Sequence, residues 1–200
     1  MRATRLPVGD QVYQLKVTLR HLRPPIWRRL QVPGDTTLGQ LNRYLQVAMG
    51  WGNSHLHLFQ ISRTEYRQPD PEEEMYWRST AKDENTAVLG EVVRAERARF
   101  RYVYDFGDHW EHEIVVEKIL PRATDLAYPV CVAGQRACPP EDCGGPGGYR
   151  ELLQALRDPD HRDHESCAEW VPDAFEAEAF DLQQLNRRLR SPDTYADWED

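Results

Sequence analysis

Thr37-Leu38-Gly39-Gln40-Leu41-Asn42-Arg43-Tyr44-Leu45-Gln46-Val47-Ala48-Met49-Gly50 reads as an amphipathic helix with both ends written into the sequence. Thr37 followed three residues on by Gln40 is a capping box, in which each side chain satisfies the other residue's otherwise orphaned backbone N–H. Leu38, Leu41, Leu45 and Ala48 recur at the spacing of one helical face, and Gly50 supplies the left-handed stop. Upstream, Val12 to Leu19 alternates apolar and polar residues, and Ile26 to Val32 follows as a second strand after the Pro24-Pro25 turn. Downstream, His55 to Ile61 reads as a third strand. A strand-strand-helix-strand order predicts an α+β roll with a mixed or antiparallel sheet, not the alternating pattern of a parallel one.

The rest of the chain extends that frame. Arg99 to Tyr104 and Trp110 to Ile119 are strands joined by Asp105-Phe106-Gly107-Asp108-His109, with Gly107 expected to take the positive φ of a hairpin turn. Ser62 to Asn85 is charged and Pro-rich and includes Pro69-Asp70-Pro71-Glu72-Glu73-Glu74, so an exposed loop is expected. Gly134 to Gly148 holds five Gly and three Pro and reads as another loop, its Gly144-Gly145-Pro146-Gly147-Gly148 run as a bare turn. Helices follow at Tyr149 to Arg157 and at Asp181 to Arg190. The latter opens on an Asp181-x-x-Gln184 cap and buries Leu182, Leu185 and Leu189. The expectation is one domain over residues 1–200 with its core at about 10–190, because 200 residues bury roughly 70% of their unfolded surface in one core.

Charge is unevenly spread. Residues 1–60 hold eight Lys/Arg against two Asp/Glu, and residues 61–200 hold seventeen against thirty-one. Gln11 to Gly34 contains no acid, so Lys16, Arg20, Arg23, Arg28 and Arg29 could form a basic stripe that meets nucleic-acid phosphates. A positive sheet edge packed near the acidic C-terminal half fits the same asymmetry. No run of eighteen uncharged apolar residues occurs and the N-terminus has no signal-like segment, which points to a cytoplasmic protein without a membrane partner. Four cysteines, unevenly placed, are too few for a secreted disulfide framework.

Several groups could carry chemistry. His55 and His57, two apart on a presumed strand, would share a face with Phe59 and Ile61. His112 falls on the apolar side of its strand with Trp110, Ile114 and Val116, and Asp105 and Asp108 lie in the adjoining turn. If these converge, imidazoles and carboxylates suit Zn²⁺, Fe²⁺ or Mn²⁺, with an open position that activates water for hydrolysis. The plain alternative is histidines bonded to backbone or Asp, with the aspartates satisfying turn amides. Cys131, Cys138 and Cys143 offer soft ligands for a zinc that pins the Gly/Pro-rich loop, or a redox-sensitive Cys138/Cys143 pair, or simply reduced thiols. Glu141 and Asp142 could act as acid and base or face solvent. Nucleophile-elbow, phosphate-loop, His-Glu-x-x-His and dinucleotide-binding patterns are absent from the sequence, which removes the common enzyme classes they mark.

Three stretches together carry a resemblance: Gly50-Trp51-Gly52-Asn53-Ser54-His55-Leu56-His57-Leu58-Phe59, Tyr104-Asp105-Phe106-Gly107-Asp108-His109-Trp110-Glu111-His112, and Ala137-Cys138-Pro139-Pro140-Glu141-Asp142-Cys143-Gly144-Gly145. With Tyr13 to Val32 before them and Phe180 to Leu189 after, the chain resembles the plasmid pRiA4b ORF-3-like family over nearly its whole length. The resemblance implies an α+β fold without an established activity, in a family some of whose members are passenger proteins of insertion elements. His109 departs from it, since a small turn residue such as Gly is expected there. The resulting expectation is a binding or accessory module linked to mobile elements, whose aromatic and His/Asp hairpin face contacts a protein or small ligand. The alternatives are a metal-dependent hydrolase centred on His57, Asp105, Asp108 and His112, and a nucleic-acid binder using Arg20, Arg23, Arg28 and Arg29.

Overall fold

The computed structural model describes residues 6–69, 80–172 and 175–191. Strands β1 (Gln11–Leu19) and β2 (Ile26–Pro33) precede helix α1 (Leu38–Met49), then come β3 (His57–Ile61), β4 (Thr64–Arg67), β5 (Lys82–Asp83) and the one-turn helix α2 (Leu89–Val92). The hairpin β6 (Arg99–Tyr104) and β7 (Trp110–Pro121) follows, then β8 (Val130–Gln135), α3 (Gly145–Arg157), α4 (His164–Trp170) and α5 (Leu182–Leu189). All eight strands form one sheet in the order β5-β4-β3-β6-β7-β1-β2-β8. Neighbours are antiparallel except β4 and β5, which run parallel, so the α+β class and the mixed sheet are as expected.

Strand alternation builds the core. Tyr13, Leu15, Val17 and Leu19 of β1, Ile26, Leu30 and Val32 of β2, Phe100, Tyr102 and Tyr104 of β6, and Trp110, Ile114 and Val116 of β7 are all buried. They form one cluster with Leu38, Leu41 and Leu45 of α1. The helix is held as its sequence predicts: Thr37 Oγ1 accepts from the Gln40 N–H, Gln40 Oε1 accepts from the Thr37 N–H, and Gly50 ends the helix at φ +83°. Asp181 caps α5 in the same way, accepting from the Gln184 N–H at 2.8 Å. Among the described residues no helix is long and apolar enough to cross a membrane.

The opposite sheet face is polar and internally paired. Arg29 grips Glu117 through Nε at 2.6 Å and Nη2 at 2.8 Å, Gln14 donates to the same carboxylate, and Lys16 lies over the Trp27 ring. Arg20 pairs with Glu111 at 2.9 Å. Arg28 sits on the other face, 4% exposed, and donates to the carbonyls of Ala48, Trp27 and Gln135 and to Cys138 Sγ. Strand alternation thus splits the basic stripe between two faces, leaving Arg23 exposed in the β1–β2 turn. Nor is this pair a sheet edge, because β7 and β8 flank it.

Four expectations need correcting. Ser62 to Asn85 is not one loop: β4 pairs with β3, and β5 pairs with β4. With Tyr66 as the one buried residue of β4, so short a strand shows no alternation to read. The run Asp70 to Glu74 lies outside the described residues. Gly134, placed in a loop, belongs instead to the edge strand β8, which pairs with β2. Helix α3 starts at Gly145, not Tyr149, with Gly144 as its N-cap at φ +84° and Pro in the first turn; Pro is already set for that position and loses no helical hydrogen bond there. In the β6–β7 turn the positive φ values belong to Asp105 (+57°) and His109 (+55°), not Gly107. That explains why a small residue is expected at position 109.

Candidate functional site

The chain leaves α1 at Gly50 and at once buries Trp51, whose indole is 1% exposed. The ring stacks on Tyr104 with centroids 5.1 Å apart, meets Trp110 at 5.8 Å, and takes His112 edge-on at 5.4 Å. Its Nε1–H donates to the Pro139 carbonyl at 2.9 Å. One side chain therefore ties the segment after α1 to the β6–β7 hairpin and to the loop before α3. Glu141 repeats the link, accepting from the Gly52 N–H at 2.7 Å through Oε2 and from the Tyr104 hydroxyl through Oε1. Burial, reinforced by the Glu141 hydrogen bond, holds the Tyr104 phenol well above its ordinary range. Asp108 Oδ2 accepts from the Gly144 N–H at 3.1 Å, and Gly145 packs so closely on Asp108 that a Cβ would strike its carbonyl oxygen.

At this junction the backbone carries unusual conformations. Asn53 (+61°), Asp105, His109 and Asp142 (+57°) all have left-handed φ, a conformation that costs a residue with a Cβ up to about 1–2 kcal/mol and Asn or Asp less. Asn53 is held by Asn42 Nδ2 and Gln46 Oε1, both from α1.

His55 lies in the loop ahead of β3, not on the strand, because β3 begins at His57. Its Nε2 stands 3.1 Å from Asp142 Oδ1 and 3.8 Å from Asp105 Oδ2. The 3.1 Å separation is close enough for an ion pair, yet Nε2 is buried and makes no hydrogen bond, because a hydrogen bond fails when misaligned even at short range. Asp105 is oriented by its own turn, with Oδ1 accepting from the N–H groups of Gly107 at 2.8 Å and Asp108 at 3.3 Å. Among the described residues, His55, Asp105 and Asp142 are the one group of three or more His, Cys, Asp or Glu whose ligand atoms lie within 4.8 Å of one another.

The other residues singled out in the sequence lie elsewhere. His57 is buried with Phe59 and Ile61 on the inner face of β3, but its Nε2 meets Glu84 at 2.8 Å. His112 is fully buried, its Nδ1 3.3 Å from the Tyr102 carbonyl, and burial pushes its pKa down to about 4. Asp108 serves the Gly144 amide. The hydrolase constellation of His57, Asp105, Asp108 and His112 is therefore not gathered; His55 and Asp105 are, with Asp142 as third member. Cys131, Cys138, Cys143 and Cys167 are all free. Cys138 points into the core against Met49 and Arg28, Cys131 bonds the Ala133 carbonyl from β8, and burial pushes the Cys143 thiol up to about 12.

A cleft of about 240 Å³ opens beside His55, lined by Asn53, Ser54, Leu56, His57, Arg67, Gln68 and Phe106 as well. Leu56 is 68% exposed and Phe106 44%, so the walls include polar side chains and the exposed apolar groups lie at the surface.

Comparison with known proteins covers most of this architecture. A family model described as "Plasmid pRiA4b ORF-3-like protein" matches residues 11–184, which include all three converging segments. The chain is similar to "Uncharacterized protein y4hQ" of Sinorhizobium fredii, 39% identical over 189 residues and covering 94% of each chain. It is also similar to the crystal structure of a protein of unknown function, MM3350 from Methanosarcina mazei Go1, with a TM-score of 0.79, 35% identity, and coverage of 87% of this chain and 97% of that one.

Proposed function

This chain belongs to the plasmid pRiA4b ORF-3-like family, and from that premise we propose that it is a cytoplasmic binding or accessory module, associated with mobile genetic elements, that takes a small ligand in the cleft beside His55. The observation that carries this reading is the left-handed backbone at Asn53, Asp105, His109 and Asp142, held where three remote segments meet. Strain of this kind persists only where the surroundings enforce it, and it concentrates at binding sites. The exposed Leu56 and Phe106 offer apolar contact, with the polar lining left to fix orientation. Four free thiols suit a reducing compartment. A phosphate-binding role for the basic residues is not favoured, since Arg20 and Arg29 are paired with Glu111 and Glu117 and Arg28 is buried.

A screen of small fluorinated aromatic and aliphatic fragments against ¹⁵N-labelled protein tests the cleft. Amide shifts should cluster at Asn53 to His57 and at Phe106. Phe106→Asp and Leu56→Asp, both at exposed positions, should each weaken the hits at least about fivefold, the loss of roughly 1 kcal/mol of contact. Shifts scattered over other surfaces, or hits indifferent to both variants, reject the proposal.

A further inference from the structure

We propose that His55, Asp105 and Asp142 bind one divalent transition-metal ion, of the class Mn²⁺, Fe²⁺ or Zn²⁺, next to that cleft, which His55 alone of the three lines. The inference rests on the binding reading only in locating the ion beside the same opening; the ion does not need a further ligand in order to bind.

Distances come first. Donor atoms about 2.0–2.2 Å from a common ion lie roughly 3–3.6 Å from one another. The contact of His55 Nε2 with Asp142 Oδ1, at 3.1 Å, falls within that spacing, and the one with Asp105 Oδ2, at 3.8 Å, lies just beyond it. The two carboxylate oxygens lie within 4.8 Å of each other, and what remains closes by rotation of Asp142, whose side chain is 70% exposed. The second argument is the ring nitrogen that lacks a hydrogen bond. A buried ring nitrogen that makes no hydrogen bond costs up to about 1–3 kcal/mol, and His55 Nε2 lacks one although two carboxylates from different segments face it. A cation answers both problems at once, because it takes the lone pair and screens the repulsion between the acids.

The supporting shell is built for fixed ligands. Asp105 commits Oδ1 to two turn amides and keeps Oδ2 toward His55. The His55 backbone N–H donates to the Tyr104 hydroxyl at 3.3 Å, and the imidazole lies edge-on to the Tyr104 ring. That hydroxyl donates in turn to Glu141, the neighbour of Asp142. Asp105 and His55 are thus each oriented by a second group, as metal ligands are, and Asp142 is left free to turn toward them. Both aspartates hold φ +57°, so the backbone is bent where the carboxylates must point inward. One imidazole with two carboxylates suits borderline ions better than Ca²⁺ or Mg²⁺, which favour all-oxygen sites. Three protein donors also leave coordination positions for water or an oxygen-bearing ligand.

The test uses the full chain, freed of metal by chelation and dialysed against MnCl₂, with bound ion counted by elemental analysis and affinity measured by calorimetry. One equivalent of Mn²⁺ is expected. His55→Gln and Asp142→Asn should each weaken it at least about tenfold, while Asp163→Asn leaves it unchanged. Asp142 is exposed, so its variant keeps the fold even if the His55 variant does not. Less than about a tenth of an equivalent bound, far short of occupancy by a folded site, overturns the proposal; so does full binding that neither variant weakens. The fragment shifts separate the two readings: no ion with fragment binding intact removes the metal site alone, and loss of both removes the cleft as well.

Discussion

Trp51→Ala is expected to cost the folded state about 3–5 kcal/mol, the range for emptying a buried tryptophan site. The side chain is 1% exposed and touches Tyr104, Trp110 and His112. Its removal opens a cavity between α1 and the hairpin and leaves the Pro139 carbonyl without its donor. Trp51→Phe separates the two effects, since it keeps most of the ring contact and loses only the indole N–H. About 1–2 kcal/mol is expected there, the worth of a buried hydrogen bond plus a small packing defect. Urea unfolding at neutral pH checks both. A loss below about 1 kcal/mol for the alanine variant would show that Trp51 is not the residue that joins the three segments.

Acid should destabilise the fold by about 3 kcal/mol between pH 6.5 and pH 4 through His112 alone. Burial depresses this imidazole from 6.5 to about 4, a fall that corresponds to roughly 3 kcal/mol. Above pH 6.5 both folded and unfolded states carry the neutral ring, and the stability is intact. As pH falls below 6.5 the unfolded chain takes up the proton and the folded one does not, so stability declines until the folded pKa is passed. Glu111 and Glu117, both held below their ordinary value of 4.5, lose their contribution only below about that pH. The upper part of the window therefore isolates the histidine. His112→Phe should change stability little at pH 7 and remove the decline between pH 6.5 and 4.5, as read from urea midpoints at several pH values. A decline of the same size in that variant would contradict the assignment.

What could be read in advance follows physical range. Helix α1 was legible because its cap, face and stop are all local, and β7 because the alternation from His112 to Glu117 is a clear strand signal. Strands β4 and β8 gave no such signal: one is four residues long and the other lies at the sheet edge. The start of α3 was masked by four glycines, which read as a turn until Gly145 is seen packed on Asp108. At the candidate site, His55 and Asp105 stood out by residue type and motif. That they meet Asp142 depends on a loop docked by Trp51 and Glu141, a tertiary contact that leaves no periodic trace. The pairing of His57 with Glu84 was hidden for the same reason. Four arginines read as a phosphate stripe because sequence shows charge but not the partners that Arg20, Arg28 and Arg29 find in the fold.

Mn²⁺ titrated into the ¹⁵N-labelled full chain tests most directly whether the three segments form one site, since a paramagnetic ion broadens only amides near it. The expected result is that amides of Asn53 to His55, Asp105 to Asp108 and Glu141 to Cys143 broaden together at the lowest additions, while those of β8 and α5 stay sharp. Broadening confined to a single segment, or appearing first at the surface acids between Asp158 and Glu165, would contradict it.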